Sequence, residues 1–191
     1  MPVHCHAPGS GPGKLRASLE DYYSAAWFPD GKKILFDGEG SDHIPRSFVQ
    51  DVEGGEARAI TTEGMRAALV SPDGKRLAAY GPRADYFLVP AGGGKPQPIA
   101  GTEFGDELIQ WSEDGRFLYV RGPDESTVKL FRIDLLSGRR EPWKTLEVPD
   151  NVGFIGLETG PGATRVTPDG KSSVYTFWQA RGELYIAEGL K

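Results

Sequence analysis

The chain has 191 residues, 38% of them hydrophobic and 10% aromatic, and a formal net charge of -5. That composition suits one domain with a sizeable core and excludes a disordered chain. The negative charge excludes wholesale binding to nucleic acid, no apolar run approaches the roughly 20 residues that span a bilayer, and Cys5 alone cannot form an intrachain disulfide.

Residues 1–12 (MPVHCHAPGSGP) hold almost nothing to bury and read as a flexible tail. The tail lacks the apolar core of a signal peptide, so the chain by itself is expected in the cytoplasm. His4-Cys5-His6 follows Pro2 so that, once Met1 is removed, a histidine stands third from a free amine. Such nitrogens can wrap Cu(II) or Ni(II) in a square plane, although a tail that binds nothing is the plainer account. Gly9 to Lys14 resembles a phosphate loop but has Pro8 in place of the first Gly and Leu15 in place of the magnesium-binding hydroxyl. Leu15-Arg16-Ala17-Ser18-Leu19 then alternates apolar and polar like a short strand.

From there the chain repeats one turn. Phe28-Pro29-Asp30-Gly31-Lys32 returns as Ser71-Pro72-Asp73-Gly74-Lys75, as Ser112-Glu113-Asp114-Gly115-Arg116 and as Thr167-Pro168-Asp169-Gly170-Lys171. Pro presets the backbone, Asp bonds its own backbone, and Gly accepts the left-handed conformation that closes a hairpin. The hydroxyl that opens three of the copies can help cap the turn. The turn aspartates lie 43, 41 and 55 residues apart (30 to 73, 73 to 114, 114 to 169). The first two gaps fit a period of roughly 40–45 residues, and the third fits if the Gly-rich segment at 148–162 is an inserted loop.

Alignment on the aspartate exposes a register. Trp27, Val70, Trp111 and Val166 stand three residues before it, on strands entering the turn. Ile34, Leu77, Leu118 and Ser173 stand four after it, Phe36, Ala79, Val120 and Tyr175 six after, with Leu35, Ala78, Tyr119 and Val174 between. A strand apolar on both faces is covered on both faces, as in stacked sheets. The third strands carry an aromatic followed by an acid or Pro: Phe48/Asp51, Phe87/Pro90, Phe131/Asp134 and Tyr185/Glu188. Fourth strands are expected at Ala57–Thr61, Pro96–Ala100 and Glu141–Leu146. The last unit ends after its third strand, and Leu15–Leu19 is expected to supply the missing fourth.

This grammar resembles TolB-like β-propeller repeats, relatives of the WD-type repeat, over residues 13–191. A narrower likeness covers Asp134 to Lys144, Thr167 to Ser172 and Leu184 to Lys191, which resemble the tail of propeller-bearing bacterial serine/threonine kinases. The resemblance implies an all-β fold, a β-propeller or propeller segment of about four blades with four antiparallel strands each. Its units fall near 13–61, 62–101, 102–147 and 163–191. It implies a sensor or interaction domain, extracytoplasmic if joined to a membrane-spanning parent. The chain has neither a kinase domain nor a membrane span, and reads as a fragment or shortened derivative.

Catalytic motifs are missing from the pattern. There is no kinase loop set, no serine flanked by glycines two residues away on each side, and no histidine beyond the tail except His43, read as a solvated loop residue. Trp27 and Trp111 share their register with Val70 and Val166 and are expected between blades, while Trp178 can face the rim. The reading is therefore a non-catalytic module for protein or peptide partners, without cofactor or metal. A hydrolase or lyase in the central channel, or an open chain that completes a larger ring by homo-oligomerising, are the alternatives.

Charges sort by loop. The face holding the blade-to-blade connections collects Glu20, Asp21, Glu39, Asp42, Glu63, Glu103, Asp106, Glu107, Asp124, Glu125, Asp150 and Glu158 against Arg46, Arg83 and Arg181. The turn face carries Lys32, Lys33, Lys75, Lys95, Arg116, Arg139, Arg140 and Lys171. A solvated surface of incidental polarity is the plainer account; the sharper expectation is that the acidic face receives a basic peptide or cation, held by Asp21, Glu63, Glu103, Asp106, Glu107, Asp124 and Glu158, with Tyr22, Phe104 and Phe154 as apolar anchors.

Overall fold

The structure is a computed structural model that describes residues 4–5, 13–14, 19–123, 128–146, 154–157, 164–167, 169 and 171–179. Three four-stranded antiparallel meanders follow one another. The first holds β1 (Asp21–Trp27), β2 (Lys33–Glu39), β3 (Arg46–Asp51) and β4 (Arg58–Ala59). The second holds β5 (Arg66–Val70), β6 (Arg76–Tyr80), β7 (Tyr86–Pro90) and β8 (Gln97–Pro98), and the third β9 (Glu107–Trp111), β10 (Phe117–Arg121), β11 (Val128–Asp134) and β12 (Arg140–Leu146).

A fourth unit is shorter. β14 (Thr164–Val166) pairs with β15 (Ser173–Tyr175), and around them β13 (Phe154–Leu157) pairs with β16 (Phe177–Gln179). The segment expected as an inserted loop thus carries a strand. The tail expected to be flexible contributes a short ladder as well, His4 opposite Lys14 and Cys5 opposite Gly13. Residues 15–18 and the third strand of the last unit lie outside the described residues, so the expected pairing of the chain ends does too. Among the described residues no helix is long and apolar enough to cross a membrane.

The repeated turn forms for the reasons its residues suggest. Gly31, Gly74 and Gly115 take φ of 67°, 68° and 68°, the left-handed region that a side chain resists. Asp30, Asp73, Asp114 and Asp169 each accept the backbone N–H two residues on, at 2.9, 3.0, 3.0 and 3.0 Å. Ser71, Ser112 and Thr167 donate to the turn aspartate and accept a backbone N–H from the departing strand. In the first copy Phe28 occupies this place and is buried in the core instead.

Alternation along the second strands splits the core into layers between sheets. Leu35, with Phe28 and Val49, meets Met65, Ala67, Leu77 and Val89 of the second sheet. Ala78, Tyr86 and Ile99 meet Leu108, Trp111, Leu118 and Ile133 of the third. Ile109, Tyr119, Val128 and Leu130 meet Val166 of the fourth unit. Both faces of the second strands are therefore buried in the three full sheets, while Val174 is exposed. Burying a Leu or Phe side chain stabilises by about 1.5–3 kcal/mol, so these layers hold the sheets face to face.

Val70, Trp111 and Val166, three before their turn aspartates, face the preceding sheet. Trp111 is consequently buried against the second sheet, with the Arg76 guanidinium over its ring. Trp27 departs from the expected packing and is 38% exposed. It belongs to the first sheet, which has no described sheet on that side.

Candidate functional site

The first strands β1, β5, β9 and β14 lie next to one another in order, at the inner, axial edge of the sheets. β1, β5 and β9 each carry a bulge, at Tyr23, Ala68 and Ile109. Just beyond the apolar run of each second strand stands a polar residue, seven after the turn aspartate: Asp37, Tyr80 and Arg121. The residue seven before the aspartate lies beside it on the first strand: Tyr23, Arg66 and Glu107. A bulge re-aims the strand that carries it, and of these residues Asp37, Arg66 and Tyr80 come together at one cavity.

The pairs also lock the sheets together. Tyr80 Oη accepts the Leu108 N–H at 2.9 Å, and Tyr86 Oη donates to the Asp106 carbonyl. Burial pushes both phenols up to about 12. In the first unit Asp37 is 3% exposed and takes one hydroxyl on each oxygen, Ser47 Oγ at 2.6 Å and Ser24 Oγ at 2.9 Å. Ser47 Oγ in turn accepts the Ala67 N–H at 2.7 Å, which joins the first sheet to the second. Burial raises the Asp37 carboxyl above its ordinary value, and the two hydroxyls partly offset that.

Asp37, Arg66 and Tyr80 rim a cavity of about 440 Å³ on the axis. Ser24, Trp27, Asp37, Arg66, Tyr80 and Arg165 line it, on a floor of Ala25, Ala26, Leu69 and Val70. Arg66 lies over the Tyr23 ring at 4.6 Å and comes no closer than 3.9 Å to Asp37. A larger groove of about 560 Å³ runs between the first two turns, walled by Lys33, Arg58 and Lys75 with Asp30 and Asp73. In the next junction Arg76 fills the same space by donating to the Gly115 carbonyl. The groove is therefore an unfilled seam between sheets, and the axial cavity holds the denser set of functional groups.

No family model matches the chain. Over 90% of its length it superposes on the putative TolB of Agrobacterium tumefaciens, with a TM-score of 0.63, 15% identity and 65% of that chain covered. TolB of Acinetobacter baumannii gives a TM-score of 0.61 at 21% identity, over 86% of this chain and 40% of that one. The fold is a TolB-like β-propeller. An oligogalacturonate lyase in complex with manganese shares it with a TM-score of 0.53 at 13% identity, over 92% of this chain and 59% of that one. By sequence, a stretch of 87 residues is 36% identical to dipeptidyl-peptidase 5 of Trichophyton tonsurans, covering 38% of this chain and 12% of the peptidase.

On this propeller the residues expected to hold a basic partner are largely engaged already. Asp106 is buried and receives both guanidinium nitrogens of Arg140, at 2.6 and 2.9 Å. Arg140, expected on the turn face, reaches this far by lying over the Phe131 ring at 3.9 Å. Glu107 pairs with the buried Arg121 at 3.3 Å, and Glu63 shares Arg46 with Asp42. Glu103 is exposed, 3.7 Å from Arg140. Tyr22 packs on Phe36 with ring centres 6.0 Å apart, so it belongs to the core. Asp21 is exposed, and Phe104 stands out at 81% exposure. Asp124, Glu158 and the Phe154 side chain lie outside the described residues.

Much of the acidic face is thus held in ion pairs, because Arg46, Arg121 and Arg140 reach Glu63, Asp42, Glu107 and Asp106. Arg66 and Arg121 stand on strands and not in loops, and the Arg140 side chain carries its charge away from the turn beside its backbone to Asp106. The axial residues were legible in principle: extending the alignment to seven residues either side of each aspartate would have found them. His43 is exposed with φ 51° and lies 3.2 Å from Glu39, which raises its pKa.

Proposed function

We propose that the chain is a non-catalytic binding module that receives a protein or peptide segment at the mouth of its axial cavity. The observation that carries this reading is Trp27. It is a large aromatic left 38% exposed beside polar groups in one concave site, the composition of a recognition pocket. The likeness of 134–144 and 184–191 to kinase-borne propellers supports a sensory role. The hydroxyls nearest the cavity favour binding over hydrolysis, since Ser24 and Ser47 both donate to Asp37 and neither meets a histidine. Asp37 is also the one carboxylate among the residues lining the cavity, whereas manganese favours a shell of several oxygen ligands.

Selection from a displayed random-peptide library tests this. Enriched peptides should lose about tenfold or more in affinity for Trp27→Ala, and little for Lys33→Glu on the turn face. Peptides that bind Trp27→Ala as well as wild type would place recognition elsewhere.

A further inference from the structure

Of the two arginines of the axial cavity, Arg66 has only a loose ion pair and Arg165 has none among the described residues. Arg66 Nε is buried and makes no hydrogen bond. Its nearest carboxylate oxygen, Asp37 Oδ2, is 3.9 Å away and already accepts Ser24 Oγ, while Oδ1 accepts Ser47 Oγ. The stack on Tyr23 occupies the flat face of the guanidinium and leaves its N–H edge open. Arg165 enters the same cavity from the fourth unit, exposed and without an ion pair or hydrogen bond among the described residues. Arg140, Arg121 and Arg46, by contrast, each donate at least one hydrogen bond to a carboxylate, at 2.6, 3.3 and 2.7 Å.

A guanidinium edge offers parallel N–H donors that match a carboxylate, and it is wasted on a cationic ligand. We infer that the cavity binds a carboxylate, presented by a peptide next to an apolar side chain, with Arg66 and Arg165 as the anion donors and Trp27 as the apolar wall. This rests on the axial cavity being the binding site. It reverses the sign of partner expected from the sequence, because Glu63, Asp106 and Glu107 of that face already pair with arginines, while the loosely held groups of the cavity are cations. The ordered donors sit on β5 and β14, strands whose backbones are fixed by their ladders, so the pair is pre-positioned.

The test uses the full chain and three probes: acetyl-Ala-Phe with a free C-terminal carboxylate, its C-terminal amide, and acetyl-Glu-Phe amide. Calorimetry gives affinity at low salt, and the arginine Nε–Hε signals in nitrogen-15 spectra report the site. The free acid should bind about tenfold or more tighter than its amide, consistent with a charge-assisted pair. It should shift the Arg66 signal, and Arg66→Gln or Arg165→Gln should erase the preference. If acetyl-Glu-Phe amide matches the free acid, the carboxylate chemistry stands and its source is an acidic side chain. Equal binding of all three probes, weakened alike by Trp27→Ala, would overturn the anion inference while leaving the axial site intact. No binding by any probe and an unmoved Arg66 signal would overturn both. Because Arg165 is exposed, its variant stays informative even where Arg66→Gln loosens the fold.

Discussion

The hydroxyl of Ser47 should be worth more than any other single polar atom in the first junction. It is fully buried, donates to Asp37 Oδ1 at 2.6 Å and accepts the N–H of Ala67, itself 1% exposed, at 2.7 Å. Ser47→Ala leaves that N–H without a partner in a dry seam, which costs about 1–3 kcal/mol, and removes a bond to a charged group worth about 1.5–3 kcal/mol. The two together come to about 2.5–6 kcal/mol of folding stability. Ser24→Ala breaks a bond from an exposed residue to the other oxygen and should cost only about 1 kcal/mol.

The Ser47→Ala deficit should also depend on pH. Burial already raises the Asp37 pKa above 3.8, and Ser47 is the stronger of the hydroxyls that pull it back down. A carboxyl with a raised folded pKa favours the fold fully below its unfolded value and loses that contribution as pH rises through the folded one. Without Ser47 the folded pKa rises further and the loss at neutral pH grows. The deficit should therefore be larger at neutral pH than below Asp37's ordinary value. Urea unfolding followed by tryptophan fluorescence measures it. A Ser47→Ala chain within about 0.5 kcal/mol of wild type, or no worse than Ser24→Ala, would refute the reasoning.

Three further outcomes are expected. Gly31→Ala, Gly74→Ala and Gly115→Ala should each cost about 1–2 kcal/mol, since an added Cβ meets nothing closer than 3.6 Å and only the left-handed φ is penalised. Gly138→Ala should cost more, because its φ is 72° and the Cβ would come 2.7 Å from Ala100 Cβ; urea melts that rank it with the turn glycines would show the contact is soft. The raised Tyr80 pKa should contribute stability present below pH 10 and lost as pH climbs toward about 12, worth about 2–3 kcal/mol, and phenolate absorbance titrating near pH 10 in the folded chain would contradict it. Arg140→Ala should destabilise by about 3–5 kcal/mol by leaving the buried Asp106 unpaired, whereas Arg116→Ala, which opens an exposed pair with Asp134, should cost about 1 kcal/mol or less; equal losses in denaturation would refute the distinction.

The repeat and its layers were legible from the chain because they depend on local chemistry. A Pro-Asp-Gly turn sets its own backbone, and a second strand apolar at Ile34, Leu35 and Phe36 has to be covered twice. The polar site was not legible in the same way. A charge sits at the end of its side chain and not at its backbone: Arg140 starts near a turn and ends on Asp106, because an extended arginine side chain is as long as about two residues of strand.

Which carboxylates stay free is a question of side-chain reach, and only tertiary structure answers it. The bulges at Tyr23, Ala68 and Ile109 carry no sequence signature in these strands, yet they flank the groups brought to the axis. Trp27 and Trp111 occupy one register and meet opposite fates, exposed in the first blade and buried in the third. The sequence by itself determined the turns, the strands and the faces they bury, since each follows from local backbone preference and apolar pattern. The tertiary structure decided which arginines find carboxylates and leaves Arg66 and Arg165 open at the axis, because ion pairing depends on distances between residues far apart in the chain.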